Sequence, residues 1–338
     1  MVRVLKVLLW LVVVIVVVVV GAYAFVPGSF LKNQAQQAIA DATGRDVTID
    51  GLALKRWAPI GFTVSGVTIG NAPWAEDPAL ATVETIEADV NVLSLITGAS
   101  SPFVLTVQKP EIFIEIDEDG RGNFEFETAS GEGERSDRDD DDSEPGDGGD
   151  FELPVRPEIR IENGVVFYRD RAQGVDRQFE NINLAITQES EAAPLILKGN
   201  VDSDGQSATL DGTVASLDSL ASGAASDIDV KATAPGLNFA LTGSVDPTAQ
   251  RTDSKLDLQV ANPRELANWL GQPLEIPEPA LSNLSVTANI AGGAESVEVS
   301  DLVLKLDDIE GQGMVAADMS GERPAVTTKI TFGDVDLT

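Results

Sequence analysis

From Arg45 to the end of the chain, apolar residues recur at every second position in one short stretch after another, and no helical segment of crossover length separates the stretches. A period of two places alternate side chains on opposite faces of a strand. Parallel pairing would need a connection of about a dozen residues or more between strands, so these strands are expected to pair antiparallel, as meanders. In the second half the expected strands are 158–168, 179–187, 195–201, 208–214, 228–233, 238–245, 255–260, 284–290, 297–306, 313–319 and 325–332. The alternation is cleanest in Leu256, Leu258 and Val260, in Leu284, Val286 and Ala288, and in Leu302, Leu304 and Leu306. Ser203-Asp204-Gly205 and Asp211-Gly212 read as turns. One helix is expected here, over 262–270, with Asn262 as its cap and Pro263 in its first turn.

The first half shows the same period with more interruption. Val47 and Ile49, Phe62 and Val64, and Val67 and Ile69 read as short strands punctuated by glycine. Residues 71–74 form a loop, 82–92 a strand running into 93–98, and 103–107 and 111–116 two further strands, with Pro110 between them marking an edge, bulge or bend. Ile112, Ile114 and Ile116 share a face opposite Glu111 and Glu115. Asp119-Gly120 signals a turn, after which Phe124 and Phe126 are expected to resume the alternation. Asp117-Glu118-Asp119-Gly120 also resembles the start of a calcium loop, but position five would be Arg121 and position twelve Thr128, where a bidentate glutamate is required.

Ahead of this β region, residues 7–26 carry no charge and are mostly Val, Leu and Ile, including Leu8, Leu9, Leu11, Ile15 and Val19. About twenty residues of helix span roughly the 30 Å hydrocarbon core of a bilayer. Arg3 and Lys6 precede the run, so the positive-inside rule keeps the N-terminus cytoplasmic and sends the rest across the membrane. Ala22-Tyr23-Ala24 offers a competing cleavage site, although the apolar run is longer than the roughly 7–15 residues of a signal peptide. The expectation is an uncleaved anchor over 1–26. A helix is expected next, from Ser29 as N-cap to Gly44 as the residue that ends it, with Leu31, Ala35, Ala38, Ile39 and Ala42 on one face; it either caps a sheet or lies on the membrane surface.

The expected organisation is therefore an anchor at 1–26, an α+β region at 27–129, a linker at 130–150 and a repetitive β region at 151–338. Residues 130–150 hold ten acidic residues, two arginines and no apolar residue, and so cannot bury enough surface to offset their ordering entropy.

Composition removes whole classes of chemistry. With no cysteine there is no disulfide framework and no thiolate metal site, and with no histidine the usual general base and the commonest zinc ligand are missing. A net charge of −32 excludes nucleic acid as a partner, because that binding depends on Lys and Arg neutralising phosphates. No nucleophile elbow, P-loop, dinucleotide or metalloprotease pattern is present, so the expectation is a protein that is not an enzyme, with no cofactor or metal. A carboxylate-based hydrolase acting on glycans would need two acidic residues across a cleft, which sequence does not reveal.

The open question is what covers the aliphatic face of so many strands when almost no helices are available. Two packed sheets, a closed barrel, and a curved sheet whose inside is filled by something else are the three solutions. In the last, Ile112, Ile114, Ile116, Phe124, Phe126, Leu256, Leu258, Leu302, Leu304 and Leu306 would line a groove for lipid acyl chains.

The order of several motifs resembles the N-terminal part of the AsmA-like family of bacterial envelope proteins. These are the apolar N-terminal run and following helix, Gly44-Arg45-Asp46-Val47, Trp57-Ala58-Pro59-Ile60-Gly61-Phe62, Val67-Thr68-Ile69-Gly70-Asn71-Ala72-Pro73-Trp74, the stretch 86–96 with Gly98, Lys109-Pro110-Glu111-Ile112, Gly120-Arg121-Gly122-Asn123-Phe124 and Ile161-Glu162-Asn163-Gly164-Val165-Val166-Phe167-Tyr168. The resemblance implies an extended antiparallel β-groove, an inner-membrane anchor with the bulk in the periplasm, phospholipids as partners, other envelope proteins as further partners, and a part in outer-membrane assembly. A self-packed sandwich that binds a protein partner is the competing expectation. Family members tend to be longer, and 331–338 stop in strand-like sequence, so the chain reads either as a short member or as a piece of a longer one.

Overall fold

The computed structural model describes residues 28–55, 60–91, 101–126, 155–190, 192–246, 248–272, 274–276, 280–293, 295–320 and 325–333. The expected anchor with Leu8, Leu9, Leu11, Ile15 and Val19, the stretch 92–98 and the acidic segment 130–150 lie outside these. Among the described residues no helix is long and apolar enough to cross a membrane. The chain divides into two compact units, the first comprising Met1–Val155 and Asp170–Ala172, the second Arg156–Arg169 and Gln173–Thr338.

Unit 1 begins with α1 (Gly28–Thr43), followed by β1 (Val47–Lys55), β2 (Ile60–Gly70), β3 (Ala79–Val90) and β4 (Ser101–Ile116), which pair antiparallel in chain order. α1 starts one residue before Ser29, so Ser29 lies inside the helix; the expected end holds, with Gly44 at φ 64 and its N–H on the Ala40 carbonyl. Leu31, Ala35 and Ile39, four residues apart, are buried against the sheet, whereas Ala42 is exposed. Gln36 donates from Nε2 to the Val47 carbonyl at 3.0 Å and ties the helix to β1. Of the two expected roles for this helix, it covers the sheet.

The strands expected as pairs of short pieces are each continuous. A transverse break runs through them at Asp50, Gly66, Glu84 and Lys109, where Gly66 and Lys109 take φ values of 60 and 47 and Lys109 pairs with Glu84 at 2.7 Å. Across this break the apolar parity changes by one. Phe62 and Val64 on one side and Val67 and Ile69 on the other are all buried, as is Leu105, whereas Ile112 beyond Lys109 lies at an even position. A regular strand would have turned half of these outward; Pro110 marks the break, as a bend.

Unit 2 contains β5 (Val155–Asp170) except its two end residues, then β6 (Val175–Gln188), β7 (Leu195–Ser203), β8 (Gln206–Val214), α2 (Leu217–Ser222), β9 (Ser226–Ala234), β10 (Leu237–Asp246), β11 (Arg251–Val260), α3 (Pro263–Trp269), β12 (Leu284–Gly293), β13 (Ser296–Leu306), β14 (Ile309–Asp318) and β15 (Ala325–Phe332). Each strand is hydrogen-bonded to its neighbour in sequence, and the pairs from β6 to β15 are antiparallel. The sheet is open, since β15 pairs with β14 alone among the described residues. All eleven expected strands of this half are present. So is the helix, with Asn262 Oδ1 accepting from the Glu265 N–H at 3.1 Å and Pro263 at its start. α2 was not expected; Ser216 caps it and Gly223 ends it.

Asp211-Gly212 is not a turn but the middle of β8. A Cβ on Gly212 would lie 2.8 Å from the Asp229 carbonyl oxygen of β9, so the glycine serves close strand approach. Phe124 and Phe126 do not resume a strand either. After Ile116 the chain reverses through a single bridge to Gly122, and Asn123 is fully buried, its side chain accepting from the Glu115 N–H and donating to the Phe113 carbonyl. Phe126 instead lies under the Arg45 guanidinium at 5.9 Å.

Candidate functional site

Strand register assembles one side of the unit 2 sheet into continuous apolar rows. Reading across the paired residues from β6 to β15, one row is Leu184, Gly199, Leu210, Ala232, Phe239, Leu258, Val286, Leu304, Gly311 and Phe332. The next row is Ile186, Leu197, Gly212, Val230, Leu241, Leu256 and Ala288. Ala234, Leu237, Val260, Leu284, Leu306 and Ile309 form a third. A one-residue bulge at Asp301 (φ 48), held by Asn289 Nδ2 at 2.8 Å, keeps Val297 and Val299 on the same side as Leu302, Leu304 and Leu306. The opposite side of the sheet carries Lys198, Asp211, Lys231, Asp257 and Gln312 in one row and Asn183, Asn200, Thr209, Thr233, Asn238 and Gln259 in another.

Among the described residues, little covers the apolar side. The extensive contacts of each unit 2 strand are with its hairpin neighbours, not with a facing sheet. Of the twenty buried apolar residues among those described, fifteen lie in unit 1, and Leu195, Ala208, Val260, Trp269 and Ala288 lie in unit 2. Leu184, Leu210, Phe239, Leu241, Leu256, Leu258 and Leu304 are all half-buried, although they occupy the middle of the rows. Two packed sheets would bury these residues fully, and a closed barrel would pair its edge strands. Among the described residues, an open sheet with one contiguous aliphatic face is the remaining solution.

Of the residues expected to line a groove, Leu256, Leu258, Leu302, Leu304 and Leu306 stand together on this face. Ile112, Ile114 and Ile116 belong to unit 1, where Ile112 shares a row with Ala81, Ile69 and Val47 on the side that α1 covers. Phe124 and Phe126 sit in the turn after β4. Leu184, Ile186, Leu197, Leu210, Val230, Phe239 and Leu241 were missed. Their signal was present in stretches such as Leu237-Asn238-Phe239-Ala240-Leu241, but glycines fill their places in β7 and β8 and dilute the pattern.

Unit 1 holds a polar cluster with a different purpose. Glu115, 1% exposed, accepts from the Glu76 and Asp77 backbone N–H groups, from Asn71 Nδ2 at 3.4 Å and from the Arg171 guanidinium at 3.1 Å. Asn123 Nδ2 donates to Asn71 Oδ1 at 2.9 Å, and the Arg121 guanidinium lies 5.2 Å from the centre of the Trp74 ring. This network joins the loop after β2 to the turn after β4, so the Asn71-Ala72-Pro73-Trp74 and Gly120-Arg121-Gly122-Asn123-Phe124 segments, fifty residues apart, form one structural joint. Every carboxylate oxygen of Glu115 is occupied, which marks it as a structural group.

Searches of curated proteins and of solved structures return no match. A family model does match, that of the AsmA family, over residues 1–330. The match runs through both units and the motifs that meet around Glu115 and Asn123, and the chain belongs to the AsmA family, which is associated with the bacterial envelope.

Proposed function

We propose that this protein binds phospholipid acyl chains along the aliphatic face of unit 2, as an inner-membrane-anchored, periplasmic member of its family, and contributes by that binding to lipid homeostasis and outer-membrane assembly. The observation that carries the proposal is the register-aligned, half-exposed apolar rows from β6 to β14. Taking a two-chain lipid out of a bilayer exposes roughly thirty methylenes at about 0.8 kcal/mol each, over roughly 20 kcal/mol in all. Such a lipid leaves a membrane only along an unbroken apolar surface, and rows crossing successive strands provide one. The apolar run at 7–26 would hold this surface beside its lipid source. On this reading the role is binding and conduction rather than catalysis; the Glu115 cluster is fully engaged in holding loops and offers no reactive group.

The test is lipid extraction and mass spectrometry of the purified full chain, with Leu258→Glu and Leu304→Glu as variants. Because both positions are half-exposed and uncovered, the variants are expected to keep the β circular-dichroism signature while losing co-purifying phospholipid. Absence of lipid from the wild type, or unfolding of both variants, contradicts the proposal, since unfolding would mean that protein covers the face.

A further inference from the structure

The two ends of the unit 1 sheet differ in charge. α1 runs antiparallel to β1, since Gln36 reaches the Val47 carbonyl and Lys32 the Asp50 carbonyl, so α1 begins at the end where β1 and β3 stop and β2 and β4 start. By sequence, the connections at this end, residues 56–59 and 91–100, contain no acidic residue, and they include Arg56, Trp57, Leu93, Leu95 and Ile96. The segments at the opposite end, residues 44–46, 71–78 and 117–126, carry seven acidic residues against Arg45 and Arg121. Asp41, in the last turn of α1, is the first acidic residue of the chain, although the net charge is −32. Glu87 and Asp89, near the end of β3, both pair with Lys55, at 3.3 and 2.9 Å.

The acid-free end is also where the apolar side of this sheet loses its cover. Phe62, Ala88 and Leu105 are register partners on the side that α1 covers, and all three are buried. The next row outward, Ile60, Val90 and Phe103, is only half-buried. Phe30, in the first turn of α1, is 52% exposed, and among the described residues it is the one exposed large apolar side chain of unit 1. Its flank of the helix continues with Asn33, Gln34 and Gln37, all exposed and uncharged. The apolar run 7–26 stops just ahead of it in sequence.

We infer that this end of unit 1 rests on an anionic phospholipid bilayer, with Phe30 in the membrane interface and the row Ile60, Val90 and Phe103 beside it. Aromatic and aliphatic side chains gain by entering the boundary between headgroups and acyl chains. An anionic leaflet repels carboxylates and attracts Lys and Arg. The end bearing Phe30, Lys55 and Arg56 meets both conditions, and the seven acids of the other end then lie on the side away from the bilayer. A protein partner would account for the half-buried row, but not for the absence of acids from both connections beside it. The inference rests on residues 7–26 as an anchor and is independent of acyl-chain binding by unit 2.

The chain has no cysteine, so Phe30→Cys and, at the opposite end, Glu118→Cys each create a single site for a nitroxide label. Both positions are exposed, so neither substitution disturbs the core. The labelled full chain is reconstituted into nanodiscs containing phosphatidylglycerol, and spin relaxation by oxygen is compared with relaxation by a water-soluble nickel chelate. At position 30 oxygen is expected to be the stronger relaxant; at position 118 the nickel chelate is expected to be. Adding Asn33→Glu and Gln37→Glu is expected to lower the oxygen-to-nickel ratio at position 30, and an unchanged ratio overturns the assignment of an anionic surface. A stronger nickel effect at position 30 overturns the inference, because unit 1 then stands off the bilayer. Weak relaxation by both reagents there also overturns it, because protein then covers the site. A chain that does not enter the discs overturns the anchor and the inference together. Acyl-chain binding by unit 2 is read separately, by lipid extraction, and survives each of these failures.

Discussion

The two units use the same strand chemistry and finish it differently. In unit 1, α1 lies on the sheet, a transverse backbone break keeps the apolar residues of four strands on one side, and a buried Glu115–Asn123 network locks the loops. In unit 2, ten strands align their apolar residues by register, but among the described residues no element of comparable size lies over them. The difference shows that alternation specifies which face is apolar, not what covers it. Where a helix lies beside the strands, the face becomes a core; where none of the described elements does, the face stays half-exposed.

The contrast is most easily broken by substitution. Glu115→Ala leaves the Glu76 and Asp77 N–H groups without their acceptor and Arg171 paired with Glu76 alone, and is expected to destabilise unit 1 by roughly 3–5 kcal/mol in chemical denaturation. Ile39→Ala, in the α1 interface, is expected to lose about 2–5 kcal/mol. Leu258→Ala removes comparable apolar volume from the unit 2 face and is expected to lose less than about 1 kcal/mol, because its side chain is already half-exposed. Equal losses at Ile39 and Leu258 would mean the two faces are equally covered.

Finer probes sharpen the unit 2 side of the comparison, at the connection between β11 and β12. Asn262→Ala removes the cap of α3 and is expected to lose about 1 kcal/mol, read as faster hydrogen exchange at Glu265 and Leu266. Asp307 supplies a pH dependence. The Ser282 hydroxyl first, and then the backbone N–H groups of Asn283, Ser282 and Leu281, lower its carboxyl pKa to about 2. Since the folded value lies below the unfolded one of about 3.9, the hold on residues 281–283 is complete above that pH and fades as pH falls towards 2. Hydrogen exchange at Ser282 and Asn283 is expected to rise over this window in the wild type and to be insensitive to it in Asp307→Asn.

Much of this architecture was legible in the sequence. Period-two alternation located the second-half strands, and Asn262-Pro263 located α3, because both signals depend on neighbours within a few residues. Three features were not legible, each for a physical reason. Gly212 looks like a turn because a turn and a close strand approach both call for a missing side chain. Phe124 and Phe126 keep an alternating spacing while a buried asparagine, satisfied by partners up to 52 residues away, reverses the chain beside them. The continuity of the aliphatic face depends on register, which places Gly199 between Leu184 and Leu210 and Gly212 between Leu197 and Val230, and register is a property of strand pairs, not of any one strand.

The central claim is that the apolar side of unit 2 faces lipid while its opposite side faces water. Its most direct test places a photo-crosslinking amino acid at Leu258 and, in a second protein, at the adjacent Asp257, in cells expressing the full chain. The expected result is phospholipid adducts from position 258 and none from position 257. Adducts only to protein from position 258, or lipid adducts equally from both, would contradict the account.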